Sequence, residues 1–271
     1  MRLDLYLYKN GYTDSRAKAQ TLISEGKIYI DGKQITKPSH ETPDGTEPQI
    51  RGEVMPYVGR GGYKLARALE VFGVDPGGFV CADIGASTGG FTDCLLQRGV
   101  KHVYAVDSGT DQLAEKLRAD DRVTVMEHYN AKNLDTDDLG EQKMDLCVCD
   151  VSFISQTLLF DAVVRILKPY KRETGTGCFV TLIKPQFEAG RDAIGKNGIV
   201  RDKKVYLRVL ETLVRCAAER GLYCFGLAPS PILGGDGNRE FLGIFANGDP
   251  AAADLTLSDR TVLMKIIESA I

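Results

Sequence analysis

Four charged residues fall where a fold of alternating strands and helices would let side chains meet a ligand: Lys64, Asp150, Lys184 and Glu240. Asp150 follows the apolar run 146–149, Lys184 follows 179–183, and Glu240 precedes 241–246. Lys64 stands in the first turn of a helical pattern made by Leu65, Ala68, Leu69 and Phe72. Two ammonium groups and two carboxylates can hold and move a proton. A lysine is charged at neutral pH, so it takes a proton from a weak acid only where burial and a second ammonium lower its pKa. Taken singly each residue has a plainer reading. Asp150 would serve as a helix N-cap, Lys184 before Pro185 as a surface strand end, Lys64 as a solvated helix residue, and Glu240 beside Arg239 as a surface ion pair of little worth. They make a site only if the fold gathers them.

What would set a ligand beside them is the stretch from Cys81 to Phe91, Cys-Ala-Asp-Ile-Gly-Ala-Ser-Thr-Gly-Gly-Phe. Residues 79–82 predict a buried strand ended by Asp83; Gly85, Gly89 and Gly90 make a tight turn; residues 91–96 resume with helical spacing. Strand, glycine turn and helix open a nucleotide-binding βαβ unit, with glycine where backbone must approach a ligand. The dinucleotide fingerprint fails at Ala86, which disfavours a nicotinamide oxidoreductase. The order acid-x-Gly-x-x-x-Gly instead resembles the first motif of class I methyltransferases. That resemblance implies S-adenosylmethionine as cofactor, held by Asp83, Gly85, Ala86, Ser87, Thr88, Gly89, Gly90 and Phe91.

The elements that must position these residues follow in order. Residues 103–106 predict a strand ending in Asp107, about 20 residues past the glycine turn, where a ribose diol would be bound. Residues 123–126 predict a third strand, with Glu127 and Asn130 after it as further cofactor contacts; 146–149 ends at Asp150, near the transferable methyl, and 179–183 is the fifth. Residues 155–167 predict a helix with Leu158, Leu159, Ala162, Val163 and Ile166 inward, and 203–220 predict another. No helix-length segment separates the runs 222–227 and 241–246, so they pair as a hairpin and the last strand runs antiparallel. Residues 257–271 predict a closing helix. The sum is an α/β fold, a seven-stranded, mostly parallel, Rossmann-like sheet of the class I methyltransferase kind.

Residues 1–58 read as a separate small α+β domain with its linker, and 59–271 as the catalytic domain. A short helix over Leu3, Leu5 and Leu7 stops at Gly11. Thr13-Asp14-Ser15 supplies the N-cap of a second helix, striped by Ala17, Ala19, Leu22 and Ile23 and ended by Gly26. A hairpin turns at Asp31-Gly32, and residues 49–55 hold a last strand. The order R-L-D…G-x-x-x-S-R-x-x-A…I-x-x-G-x-I-x-I-x-G…K-P, over residues 2–39, resembles the alpha-L RNA-binding module of a small-subunit ribosomal protein, pseudouridine synthases and tyrosyl-tRNA synthetases. It implies RNA contact through Arg2, Ser15, Arg16, Lys18, Lys27 and Lys37, whose cations would touch phosphates without reading sequence.

Composition agrees. Net charge is −3, but residues 81–150 hold 14 acids and 7 bases, 151–220 hold 7 acids and 13 bases, and 1–40 hold 4 acids and 7 bases. Basic regions flank an acidic one, so a local positive face is available to a polyanion. No apolar run approaches the ~20 residues of a membrane span, and residues 1–6 lack a signal-peptide pattern. Seven cysteines without a C-x-x-C pair, and scattered His40, His102 and His128, point to reduced thiols in a cytoplasm and to no metal site.

Read together, Lys64, Asp150, Lys184 and Glu240 resemble the tetrad of FtsJ-like RNA ribose 2′-O-methyltransferases, and the whole chain resembles the TlyA-type (hemolysin A) family. The motifs are G-R-G-G-Y-K-L from Gly59, D-I-G-A-S-T-G-G-F from Asp83, D-V-S-F-I-S from Asp150, I-K-P-Q-F-E-A-G-R from Ile183 and G-I-V-R-D from Gly198. The resemblance implies methylation of a cytidine ribose in ribosomal RNA, with Lys184 as base or hydroxyl anchor, Asp150 orienting it and the cofactor, and Glu240 holding Lys64. It leaves oligomeric state open, a monomer included. The basic stretch of Arg191, Lys196, Arg201, Lys203 and Lys204 is expected to flank the RNA entry, and Arg60 to contact RNA as well. Cys147 and Cys149 are expected in the core, since sugar methylation needs no covalent enzyme intermediate. Two segments depart from the family: Asp107-Ser108-Gly109-Thr110-Asp111 after the second strand, and Glu127-His128-Tyr129-Asn130 where Glu-Arg-Thr-Asn is usual. A non-catalytic RNA-binding protein and a membrane-lysing toxin are the competing readings.

Overall fold

The apolar runs between residues 79 and 247 assemble as the strands of a single sheet. The computed structural model describes residues 1–271 except 14–15, 52–55, 191–192, 196–197 and 236 and the side chains of Ala17, Leu255 and Ser258. The chain forms two units, Met1–Val58 and Gly59–Ile271.

In the first unit, α1 (Leu3–Lys9) and α2 (Arg16–Ser24) share a core with a three-stranded antiparallel sheet, ordered β2-β1-β3, of β1 (Ile28–Ile30), β2 (Lys33–Ile35) and β3 (Gln49–Ile50). Leu3, Leu7, Ala19, Leu22, Ile23 and Ile28 fill that core. The β1–β2 turn carries Asp31 at φ 49° and Gly32 at φ 75°. Both are left-handed, which a two-residue hairpin turn of type I′ demands. The expected cap at Asp14–Ser15 and residues 52–55 of the expected last strand lie outside the described residues.

The second unit runs α3 (Gly61–Phe72), β4 (Val80–Ile84), α4 (Gly90–Gln97), β5 (His102–Val106), α5 (Glu115–Arg118), β6 (Val123–Met126), β7 (Leu146–Cys149), α6 (Phe160–Ile166), β8 (Cys178–Ile183), α7 (Pro185–Glu188), α8 (Lys203–Ala218), β9 (Leu222–Pro229), β10 (Phe241–Asn247) and α9 (Arg260–Ser269). The sheet order is β6-β5-β4-β7-β8-β10-β9, and β10 runs antiparallel to the other six strands. The chain winds outward from β4 to β6, then returns to β7 on the other side of β4. The loops leaving β4 and β7 therefore diverge and open a crevice at their carboxyl ends. Every residue of β4, β7 and β8 is buried, which is why they read as unbroken apolar runs. Cys147 and Cys149 lie in this core, and burial pushes the Cys149 thiol up to about 12.

Three expectations need correction. Strand β4 continues through Asp83 to Ile84, so Asp83 is a buried strand residue and not the strand's end. The helix expected at 155–167 is broken into a 3₁₀ turn, Gln156–Leu158, and α6; Leu158 is 54% exposed instead of inward. The break follows from Gln156, whose buried side chain bonds β8 through Thr181 and Leu182 and pulls its turn out of line. The closing helix is shorter, because Asp259 caps α9 after a 3₁₀ turn at Leu255–Ser258. Among the described residues no helix is long and apolar enough to cross a membrane.

Candidate active site

Two ion pairs stand at the crevice. Lys64, on the first turn of α3, donates from Nζ to Glu240 Oε2, just before β10. Both are buried, 7% and 4% exposed. Burial raises the Glu240 carboxyl's pKa, and the Lys64 ammonium partly opposes that rise. Lys184, one residue past β8, has Nζ 2.6 Å from Asp150 Oδ1, one residue past β7. It also donates to Ser152 Oγ at 2.9 Å. The approach to Asp150 is a charge contact, since that Oδ1 makes no aligned hydrogen bond. This pair is more open, with side chains 12% and 21% exposed.

The pairs are neighbours. Lys184 and Asp150 both act electrostatically on Glu240. The start of α3 abuts Asp150 closely enough that a Cβ on Gly61 would lie 3.5 Å from Asp150 Oδ2. The plainer readings do not describe these residues. Ser155, not Asp150, caps the turn that follows, and Glu240 pairs with Lys64. Arg239 turns away, to the carbonyls of Ala270 and Ile271.

Two cavities adjoin the Lys184–Asp150 pair, while Lys64 and Glu240 line neither. The larger, about 420 Å³, has Gly85, Ser87, Asp107, Asn130, Asp150 and Ser152 in its wall. Asp107 is held there by backbone N–H groups, from Ser87 to Oδ2 at 2.8 Å and from Gly109 to Oδ1 at 2.7 Å. The smaller, about 170 Å³, lies between Gly59–Arg60–Gly61, the 85–91 turn including Ala86, Thr88, Gly90 and Phe91, and Asp150, Ser152 and Lys184.

Three expected cofactor residues do not line these cavities. Asp83 is wholly buried and accepts from Thr92 Oγ1 at 2.6 Å. Burial pushes its carboxyl pKa up to about 7, and its Oδ1 has no hydrogen-bond partner. Glu127 spends its carboxylate on backbone N–H groups of Asp111 (2.9 Å) and Gln112 (3.1 Å) and on Arg118 (2.7 Å). The Arg118 hydrogen bond leads the causes that bring its pKa down to about 2. It fixes the loop 107–113 that carries the cavity wall. Gly89 backs onto Leu113 and Leu117. Nor do the other glycines spare room for a ligand only. A Cβ on Gly85 would lie 2.9 Å from the Asp150 carbonyl, and one on Gly90 would lie 3.1 Å from Gly62 N, so backbone packs on backbone there.

Of the residues expected to meet RNA, Arg2 and Arg16 are exposed but tied at one edge to buried Asp4, at 3.1 and 3.0 Å. Asp4 also accepts from Gln20 Nε2 at 2.7 Å and Leu5 N at 2.9 Å. With the Arg2 hydrogen bond as the largest cause, these partners hold its carboxyl well below the usual range. Lys27 pairs with Glu25 at 2.8 Å, Lys18 is half-buried, and Lys37 and Arg201 are exposed. Arg60 borders the smaller cavity. Ser15, Arg191 and Lys196 lie outside the described residues. Sequence reasoning passed over Asp4, Ser152, Phe153 and Glu188. Phe153 is 91% exposed with φ 65°, its ring 5.0 Å from that of Phe187. An aromatic inside the D-V-S-F-I-S motif was the available signal.

Residues 57–246 match the FtsJ-like methyltransferase family, and residues 1–46 match the S4 domain. The protein YqxC of Bacillus subtilis, whose name proposes an rRNA methyltransferase, is 44% identical over 241 residues, 89% of this chain and 84% of that protein. The 16S/23S rRNA (cytidine-2′-O)-methyltransferase TlyA of Mycobacterium tuberculosis is 39% identical over 260 residues, 95% of this chain and 94% of its own length. A solved structure from Streptococcus thermophilus that carries a hemolysin name superposes with a TM-score of 0.77 at 42% identity, covering 100% of this chain and 95% of that one.

Proposed function

We propose that this chain, which belongs to the FtsJ-like methyltransferase family, transfers a methyl group from S-adenosylmethionine to a ribose 2′-hydroxyl of ribosomal RNA, on cytidine. The observation that carries this reading is that Asp150 lines two adjoining cavities and holds Lys184 in the wall of the smaller, with the buried Lys64–Glu240 pair within electrostatic reach of both. The larger cavity fits the cofactor. Its 420 Å³ is within the ~300–1,000 Å³ of small-molecule sites, and its lining includes the Asp107 carboxylate, for a diol, and Asp150. Gly85, Ser87, Asp107, Asn130 and Asp150 would hold the group, which supplies an electrophilic methyl on a sulfonium.

The chain's own residues do the rest. The smaller cavity, beside Lys184 and Arg60, receives the ribose. Lys184 meets the 2′-hydroxyl, as the anchor of its oxygen or as the base that takes its proton. Asp150 and Ser152 aim its Nζ. Lys64, fixed by Glu240, anchors the start of α3, which abuts Asp150 at Gly61. Alignment of oxygen and methyl accounts for much of the rate, since a weakly acidic hydroxyl reacts only when held in line. The exposed Phe153 ring offers a face for an unstacked base.

RNA affinity is assigned to the S4 unit. Arg2 and Arg16 bond Asp4 on one edge and keep another for phosphate, with Lys18, Lys27 and Lys37 around them. Arg60 and Arg201 are assigned RNA contacts of the second unit, Arg191 and Lys196 join them on the basic charge of their stretch, and Ser15 joins the first unit's set on sequence resemblance. The test is to map ribose methylation on ribosomal RNA from a deletion strain, with and without the gene restored. A cytidine methyl lost on deletion and regained on restoration is expected; an unchanged map would overturn the proposal.

A further inference from the structure

Asp150 and Lys184 each sit one residue beyond the end of a strand, so neither belongs to a regular element. The parallel ladder that carries them has its last pairing at Cys149 and Thr181. Past that point two segments, the loop 150–155 and Lys184 with the short helix α7 behind it, must hold a 2.6 Å charge contact between their first residues. One side chain ties those segments together farther out. Glu188, at the end of α7, accepts from Ser155 Oγ at 2.6 Å through Oε2 and from the Gln156 backbone N–H at 2.9 Å through Oε1. Both oxygens are taken up inside the protein, and Glu188 lines neither cavity.

The tie has a second anchor. Gln156 accepts from Thr181 Oγ1 at 2.8 Å and donates to the Leu182 carbonyl, on the strand that leads to Lys184. Phe153 and Phe187, in the same two segments, meet at 5.0 Å. A closed ring results, with the β7–β8 ladder at one end, Glu188 with Ser155 and Gln156 at the other, and Asp150–Lys184 between. We infer that Glu188 is a positioning residue for methyl transfer, a latch that fixes the spacing of Asp150 and Lys184 by joining the segments that carry them. This rests on the function proposed above and adds to it a residue outside the four charged ones.

Burial raises the Glu188 carboxyl's pKa, and its two donors oppose that rise. Removing the carboxylate takes from Ser155 Oγ and the Gln156 N–H their acceptor on α7, and the outer ends of the two segments are then joined by the Phe153–Phe187 ring contact, while the Gln156 side chain and Lys184 join them nearer the ladder. Misplacement of a catalytic group by about 1 Å can cost on the order of 100-fold.

The experiment uses the full chain and unmethylated ribosomal subunits. Glu188→Ala is expected to lower kcat by at least ~10-fold, with the cofactor Kd and the RNA KM changed less than about threefold. Glu188→Gln, which still accepts from Gln156 N–H, should keep most of kcat. In a Lys184→Ala background, Glu188→Ala should cost nothing more, because its effect acts through that lysine. Hydrogen exchange gives a readout apart from activity: in Glu188→Ala, protection over 150–158 and 184–189 should fall while β4 to β6 keep theirs. The inference is overturned if Glu188→Ala retains kcat within about twofold, or if exchange in the two segments is unchanged. It is equally overturned if Tm falls and exchange rises throughout the second unit, which would make Glu188 a general fold stabiliser. Should wild-type protein methylate no ribosomal RNA, the functional reading fails, and the exchange arm still decides whether the latch exists.

Discussion

Two buried carboxylates, Asp4 in the first unit and Glu240 in the second, each hold cations, and burial raises the pKa of both, yet their net shifts are opposite. Asp4 is fully enclosed and has two guanidiniums, an amide and a backbone N–H on it, so its carboxyl is held strongly ionised. Glu240 has a single ammonium, and burial wins, raising its pKa. The number of donors decides the sign. It also matches two kinds of work. Arginine, which keeps its charge throughout the working range, is placed where a static polyanion is to be gripped. Lysine, which can give up its proton, is placed where a hydroxyl is to react.

The sharpest way to break that contrast is in the second unit. Asp150→Asn removes the charge that holds Lys184 while keeping the shape, and methyl transfer should fall by ~100-fold or more. The measurement is single-turnover methyl incorporation on ribosomal subunits. An effect under about threefold would mean that Asp150 does not orient the lysine.

Next in size is the buried pair. Lys64→Met leaves Glu240 enclosed without a cation and should destabilise the second unit by about 3–5 kcal/mol, read from denaturant melts. Adding Glu240→Leu should recover most of that stability but none of the activity. Recovery of both would make the pair a packing feature only.

In the first unit the same logic predicts a binding effect without a rate effect. Arg2→Ala and Arg16→Ala should each weaken RNA binding and lower the slope of log affinity against log salt by about 1. The single-turnover rate at saturating RNA should be unchanged. A change in rate with unchanged affinity would reverse the division of labour.

The smallest expected effect is on pH. For Asp4 the folded pKa is depressed, so its contribution is present above the unfolded value of about 3.9 and is lost as pH falls below it. For Asp83 the folded pKa is raised to about 7, so the folded state keeps a proton that the unfolded state has released. Its contribution is full below about 4 and is lost as pH rises toward and through 7. Glu240 has the same sign. Thermal melts of the second unit should therefore decline from pH 5 to 8, and Asp83→Asn should flatten the decline. Equal slopes in the two proteins would show that Asp83 ionises as freely folded as unfolded.

How far the sequence foretold this depends on where each residue's partners lie. Strands β7 and β8 are legible because both faces are buried, so apolar runs end at Asp150 and Lys184 without ambiguity. The hairpin turn at Asp31–Gly32 is legible because its backbone preference is local. The break at 155–160 is not, because it depends on Gln156 reaching β8, 25 residues away at Thr181. Asp4 and Glu188 look like ordinary surface acids in sequence, and Glu127 like a cofactor contact. Their work is done through donors that the chain brings near only by folding: Arg16 and Gln20 for Asp4, Asp111 and Gln112 for Glu127, and Ser155 for Glu188. Asp83 was misplaced by a single residue at a strand end, enough to turn a cavity wall into core.

The most direct measurement compares wild-type protein with Lys184→Ala on unmethylated ribosomal RNA, with the ribose product mapped by mass spectrometry and cofactor binding followed by calorimetry. Wild-type protein should place a 2′-O-methyl on cytidine, while Lys184→Ala binds S-adenosylmethionine within about threefold of normal yet transfers at under ~1% of the rate. Near-normal ribose methylation by Lys184→Ala would contradict the account at its centre.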